Sequence, residues 1–302
     1  MNSFKKLLTF TCLSISTSFT FAEHNTTKIE HAQGVKVIAE VPKKVATFDL
    51  ATLDTMDTLG IDVFGLPKAL AKQHLTKYNT PKYTNIGSLF EPDYEVVAAN
   101  QPDLIIVAAR SASAYDSLSQ LAPTIDLTID TADYLNQVKK NSHSIADIFH
   151  KQAILKTKLN DIDSNITKVK QLASKAGNGL IILTNGGKIT AYGANSRFGW
   201  LHNDLGITPA IKDISAATHG DPISFEFILQ ADPDWLFVID RDAAIGTQGA
   251  AKALLDNPLI SKTKAAQNNH IVYLDSFNWY ILSGGLNAFA KSVNEVLAAL
   301  QR

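Results

Sequence analysis

Two stretches of this chain repeat one another 131 positions apart. Glu95-Val-Val-Ala-Ala-Asn-Gln-Pro102-Asp103-Leu-Ile-Ile-Val-Ala-Ala-Arg110 is echoed by Glu226-Phe-Ile-Leu-Gln-Ala-Asp-Pro233-Asp234-Trp-Leu-Phe-Val-Ile-Asp-Arg241, with Glu, Pro, Asp and Arg in register. Each copy reads as a short helix stopped by Pro, which has no N–H to continue it. A Pro-Asp turn and an uninterrupted apolar run follow, as expected of a strand buried on both faces of a parallel sheet. Units of this kind are common in α/β proteins, and one alone would mean little. Two in register predict a pair of similar lobes, each ending a buried strand in Arg.

Between the copies lies the strongest helical pattern of the chain. Leu155, Leu159, Ile162, Ile166 and Val169 make one apolar stripe from about Lys151 to Ala173, with Lys and Asp opposite and Gly177 as a stop. Such a helix would run roughly 35 Å, long enough to cross from one lobe to another. The remaining runs alternate strand and helix. Val35 to Val41, Val45 to Asp49, Leu180 to Leu183 and Ile271 to Leu274 read as strands, and Leu286 to Leu300 as an amphipathic helix. The expected division is 1–22 as a leader, 23–150 and 175–302 as two α/β lobes, and 151–174 as the connecting helix.

The leader is read from Lys5 and Lys6, the apolar Leu7 to Phe21, and the small residues of Thr20-Phe21-Ala22 before Glu23. The stretch is shorter than a membrane span and interrupted by Thr and Ser, which favours cleavage. Cys12 lies inside it after Thr9-Phe10-Thr11, a poor context for a lipid anchor, so no anchor is expected. Cleavage leaves 280 of the 302 residues with no Cys, and loss of two lysines takes the net charge from −1 to −3. That composition excludes disulfide and thiolate chemistry and argues against nucleic acid as a partner.

The sequence resembles a known family at Phe48-Asp-Leu-Ala-Thr-Leu-Asp-Thr-Met-Asp-Thr-Leu-Gly60, at Tyr83-Thr-Asn-Ile-Gly-Ser-Leu-Phe-Glu-Pro-Asp93, in both echoed segments and at Asp275-Ser-Phe-Asn-Trp-Tyr280. The family is that of the periplasmic siderophore-binding proteins, and the resemblance is greatest to the branch that takes ferric catecholates of the enterobactin or vibriobactin type. It implies an α/β fold of two Rossmann-like lobes joined by one rigid helix, with the ligand in the cleft between them. It also implies a monomer in a Gram-negative periplasm, with a ferric siderophore as cargo and no intrinsic cofactor. The expected partner is the inner-membrane permease of an ABC importer.

The resemblance assigns residues as well. His219 and Tyr280 match positions that donate imidazole nitrogen and phenolate oxygen to iron left under-coordinated by a bis-catecholate. Trp279 is expected to touch the ligand beside them. Arg110 and Arg241, ending equivalent strands, and Arg197, in Gly-Ala-Asn-Ser-Arg-Phe-Gly, would meet the negative charge of a ferric catecholate. Arg suits this because it stays charged and offers forked donors. Glu95 and Glu226 complement the dipoles of the helices they begin, and in the family one glutamate of each lobe docks on the permease.

Ferric hydroxamate, haem and cobalamin binders share this fold, and cleft chemistry is grafted onto a common scaffold. An enzyme is the remote alternative. Ser261-Lys-Thr-Lys264 superficially matches a serine–lysine acyltransferase motif, but its companion motifs are absent. No phosphate loop, nucleophile elbow or dinucleotide fingerprint occurs. Zinc carriage would call for a His-rich loop, whereas the eight His are scattered.

Overall fold

The computed structural model describes residues 26–214 and 219–302. The expected leader, Cys12 and the expected mature start at Glu23 lie outside these. Strands Val45–Thr47, Gly65–Leu66, Thr84–Asn85, Leu104–Val107 and Thr124–Asp126 form one wholly parallel sheet, with Val45–Thr47 at its centre. The second sheet is mixed. Asn178–Asn185 pairs in parallel with Trp235–Asp240, which pairs in parallel with Ile271–Tyr273. On its other side it pairs antiparallel with Lys188–Tyr192, which in turn takes the short Asp221–Ile223. The first half also carries a separate hairpin, Thr27–His31 with Gly34–Ile38.

The echo of 131 positions is visible in the backbone. Helices Tyr94–Asn100 and Phe225–Ala231 both end on a non-glycine residue in the left-handed region, Gln101 at φ 47° and Asp232 at φ 39°. The Pro-Asp turn follows in each. Asp103 Oδ2 then accepts from Lys43 N and Lys44 N at 2.8 and 2.9 Å, just ahead of strand Val45–Thr47. Asp234 Oδ2 accepts from Asn178 N at 2.9 Å, at the start of strand Asn178–Asn185. The repeated aspartate thus satisfies backbone donors where the neighbouring central strand begins.

Helix Gln152–Ala173 lies between the two sheets in sequence. The expected stripe is its buried face: Leu155, Leu159, Ile162, Ile166 and Val169, extended by Ala173. It packs on the terminal helix Leu286–Leu300, and Asn165 Nδ2 donates to Asn294 Oδ1 at 2.8 Å. The terminal helix in turn packs on Leu50–Thr58 of the first half. The junction is polar and buried. Asp54, wholly inaccessible, accepts from the backbone N–H groups of Asn287 and Ala288, both at 2.9 Å, and from Asn287 Nδ2 at 3.1 Å. His74 Nε2 sits 2.6 Å from the same carboxylate. An aspartate in the middle of one helix therefore caps the start of another from the far end of the chain, where a negative charge complements the helix dipole. Gly285 is required there, since a Cβ would fall 2.6 Å from Asp54 Oδ2.

Candidate functional site

The two strand-end arginines come first, because the repeat fixes where they go. Strand Leu104–Val107 hands over to a 3-10 turn, Ala109–Ala114, through Ala109 at φ 47°. Strand Trp235–Asp240 hands over directly to a short helix, Arg241–Ile245. Arg110 and Arg241 are thus thrown out past the carboxyl ends of central strands, where ligands bind in open α/β sheets. The carboxylates flanking Arg241 are engaged elsewhere. Asp240 accepts from Ala243 N and Ala251 N, and Asp242 from Gly186 N.

Both arginines, with Arg197, converge on Tyr280. Arg110 Nη2 and Arg197 Nη2 donate to the Tyr280 carbonyl oxygen at 3.1 and 3.2 Å, and Arg241 Nε donates to its hydroxyl oxygen at 3.2 Å. The guanidinium carbons lie 5.3, 4.6 and 5.9 Å from the Tyr280 ring centroid, within cation–π range. Burial disfavours ionisation of this phenol. The Arg241 hydrogen bond and the charges of Arg197, Arg110 and Arg241 outweigh it, and hold the phenol below its ordinary value. Arg197 is itself pushed down by burial and by the nearby Arg110, against the pull of Tyr280, Tyr192 and Tyr134. Like charges are drawn together here, an unfavourable arrangement that an anionic ligand would relieve.

Tyr280 belongs to a π-helical turn, Phe277–Ile281, a distortion frequent at functional sites. Asp275 Oδ1 caps its start, accepting from Phe277 N and Asn278 N, and also receives Gln73 Nε2 from the first half at 3.1 Å. Glu295 of the terminal helix accepts from Asp275 N at 2.8 Å and from Trp279 Nε1 at 2.9 Å. Burial pushes this carboxyl up, against those two bonds.

The turn separates Tyr280 from its neighbour: Tyr280 borders the cavity, whereas Trp279, expected beside the ligand, does not. Trp279 is 1% exposed and does not border the cavity. It stacks on Trp200 at 4.4 Å, and Trp200 stacks on Tyr134 at 5.4 Å. Consecutive residues in a helical turn point in different directions, so presenting one ring to the cleft turns the next away from it. Trp279 therefore supports the site instead of lining it.

The cavity beside this cluster holds about 670 Å³ and takes its walls from both halves. Asp49, Phe90, Arg110 and Tyr134 border it from the first half, and Arg197, His219 and Tyr280 from the second. Arg241 meets it through Tyr280. His219 is exposed at the border, and its carbonyl accepts from the Tyr192 hydroxyl at 3.0 Å. Its turn leads into strand Asp221–Ile223 before helix Phe225–Ala231. Gly284, at φ 95°, also borders the cavity, and a Cβ there would fall 2.3 Å from Ile129 Cδ1 of the other half.

Sequence reasoning missed Tyr134, Ser283 and Asp49. The Tyr134 hydroxyl and Ser283 Oγ lie 2.9 Å apart across the two halves, and burial pushes the phenol up to about 12. Asp49 caps helix Leu50–Thr58 through Thr52 N at 2.7 Å. Burial raises its carboxyl, against the Thr52 bonds and the Arg110 charge. A Ser/Asp N-cap pattern was the one signal available for Asp49, and it marks helix starts everywhere.

Glu95 and Glu226 lie apart from the cleft. Each is exposed in the first turn of its seven-residue helix, behind a capping Asp93 or Ser224. Backbone and Ser224 hydrogen bonds hold the Glu226 carboxyl below its usual range. Ser261 and Thr263 bond to local carbonyl oxygens at Pro258 and Ile260, an arrangement of local turns.

The profile of the periplasmic binding protein family matches residues 45–277. The petrobactin-binding protein YclQ of Bacillus subtilis is 44% identical over 264 residues, covering 86% of this chain and 83% of that protein. Its crystal structure superposes with a TM-score of 0.88 over 92% of this chain and 99% of that one. The ferric-anguibactin-binding protein FatB of Vibrio anguillarum is 34% identical over 280 residues, 90% of this chain and 87% of that protein. The periplasmic catecholate-siderophore binding protein VctP of Vibrio cholerae, at 32% identity, superposes with a TM-score of 0.86 over 90% of this chain and 99% of that one. These relatives are binding proteins, not enzymes.

Proposed function

We propose that this chain, which belongs to the periplasmic binding protein family, captures a ferric siderophore of the catecholate type and delivers it to the inner-membrane permease of an ABC importer. The observation that carries this is the convergence of Arg110, Arg197 and Arg241 on Tyr280 beside a cavity walled by both halves. A ferric catecholate is a compact anion with oxygen donors on its surface. Fixed guanidinium groups match its charge and its acceptors together. The relatives named for petrobactin, anguibactin and catecholate siderophores support the same ligand class.

Within that function, Tyr280 and His219 are the donors that complete the iron when the siderophore supplies only four. A phenol already held below its ordinary value needs less help from the metal to bind as phenolate. Glu95 and Glu226 are the docking charges for the permease, one from each lobe. The helix around 151–174 acts as the rigid connector between lobes 23–150 and 175–302, with the terminal helix packed back across the first lobe. The family acts outside the cytoplasm; the finer reading is a monomer in a Gram-negative periplasm, released from its leader after residue 22.

Fluorescence-quenching titration against ferric bis- and tris-catecholates, a ferric hydroxamate, haem and cobalamin tests the ligand class. Tight binding confined to the catecholates is the expected result. Preference for haem, cobalamin or the hydroxamate would overturn it.

A further inference from the structure

Phe90 is the most exposed large apolar side chain among the described residues, at 64%, and it borders the cavity that holds Arg110, Arg197, His219 and Tyr280. A lone exposed apolar residue is ordinary on a protein surface. What sets Phe90 apart is that a built turn presents it. Ser88 N donates to Glu91 O at 2.9 Å, and Ser88 Oγ accepts from Phe90 N at 3.2 Å and from Glu91 N at 2.9 Å. Asp93 N closes the base by donating to Ile86 O at 2.8 Å, and Leu89, 5% exposed, anchors the turn in the core. Gly87, at φ 110°, lets the two arms meet, since a Cβ there would fall 2.4 Å from Glu91 O. The backbone that carries the ring is thus held at the cavity's border by a turn with little freedom left to lose.

We propose that Phe90 is a specificity residue of the cleft, packing its ring against a flat aromatic donor group of the bound chelate and so favouring aryl-oxygen chelators over aliphatic ones of similar charge. The proposal rests on the ligand class proposed above and deepens it. Guanidinium groups recognise negative charge and oxygen, which a ferric citrate complex also offers, so Arg110, Arg197 and Arg241 cannot by themselves make this distinction. A ring can. Aromatic pairs in offset or edge-to-face arrangements gain beyond simple burial, equivalent to about two- to twelvefold in affinity. The turn adds to the effect, because a pre-ordered backbone leaves only side-chain rotation to be lost on binding.

The test compares Phe90→Ala and Phe90→Leu with wild type, using a ferric bis-catecholate, a ferric hydroxamate and ferric citrate as probes. Thermal melting serves as a control that an exposed position has left the fold intact. Phe90→Ala should weaken the bis-catecholate by about tenfold, and Phe90→Leu, which keeps apolar bulk but no ring, by about two- to fivefold. The hydroxamate and citrate complexes should change less than about twofold with Phe90→Leu, so that selectivity narrows. Equal losses for aromatic and aliphatic chelates, or none, would overturn the proposal. So would unchanged affinity with lost uptake in cells, which would assign Phe90 to the permease. Failure of the wild type to bind any catecholate would instead remove the ligand class itself, a result visible before any variant is made.

Discussion

Arg241 Nε donates to the Tyr280 hydroxyl oxygen across 3.2 Å. The bond makes the oxygen that faces the proposed metal an acceptor from a fixed cation, and so ties the chemistry of one residue to the placement of the other. Arg241 owes its position to the echoed strand, and Tyr280 owes its own to the π-helical turn.

Tyr280 should therefore ionise below the ordinary tyrosine value of about 10. Spectrophotometric titration at ~295 nm, with Tyr280→Phe as the difference partner, isolates its contribution. Arg241→Met should move that step upward. The folded value is depressed relative to the unfolded one, so the associated stability is fully present above about pH 10 and lost as pH falls through the folded value. A Tyr280 step at or above the ordinary value would show that burial, not the arginines, dominates.

Much of this was legible beforehand, and what was not has physical causes. The echo placed Arg110 and Arg241 because strand ends are set by local pattern, and a repeat doubles the signal. The stripe from Leu155 to Val169 was legible because 3.6-residue periodicity is written in the chain itself. The burial of Trp279 was not legible because a π turn leaves no periodic trace in five residues. Asp54 looked like one polar residue on a helix, and only tertiary structure shows it capping the terminal helix at Asn287 and Ala288. Tyr134 was hidden for the same reason, since its partners Trp200 and Ser283 lie 66 and 149 positions away in sequence.

Asp54→Ala should be among the most destabilising single changes. It deletes the acceptor for two backbone N–H groups at the start of the terminal helix and for Asn287 Nδ2. Each buried donor left without a partner costs about 1–3 kcal/mol, so a loss of about 3 kcal/mol or more is expected. Denaturant unfolding measures it. Asp54→Asn, isosteric but uncharged, should recover part of the loss.

Trp279→Ala should lower stability by about 3–5 kcal/mol through the cavity it leaves beneath Trp200, with loss of the Glu295 bond. Because the ring does not border the cleft, its effect on ligand affinity should follow from displacement of Tyr280. Trp279→Phe should therefore keep most of the affinity while still melting earlier. Direct ligand contact would instead show as an affinity loss in Trp279→Phe with melting unchanged.

Replacing Glu95 and Glu226 together by Ala should leave ligand affinity nearly unchanged and abolish uptake in cells. Both are exposed at the first turns of equivalent helices and neither borders the cavity. Glu95 loses only a favourable interaction with its helix dipole, and Glu226 loses in addition its hydrogen bonds to Ser224 and the local backbone, all at the surface. Binding and transport falling in parallel would place these glutamates in the fold or the site instead.

The coordination of iron separates the roles around Tyr280. A tetradentate bis-catecholate leaves two positions on iron open, and Tyr280 and His219 are the donors proposed to fill them. Binding should then shift the charge-transfer band, because solvent ligands are exchanged for phenolate and imidazole. Tyr280→Phe keeps the ring under the three guanidinium groups but deletes the oxygen, and His219→Ala deletes the nitrogen. Each should partly reverse the shift. Both should weaken the tetradentate complex more than a hexadentate tris-catecholate, which already saturates its metal. For the hexadentate ligand, Arg110, Arg197 and Arg241 should dominate, since hydrogen bonds to charged groups contribute about 1.5–3 kcal/mol each. Tyr280→Phe carries a second consequence that His219→Ala does not. It leaves Arg241 Nε without its acceptor while the Tyr280 carbonyl still receives Arg110 and Arg197. Some affinity for the tris-catecholate should therefore be lost in Tyr280→Phe alone. Identical spectra for wild type and both variants with the bis-catecholate would remove both side chains from the metal and leave the cleft as a charged and aromatic cradle.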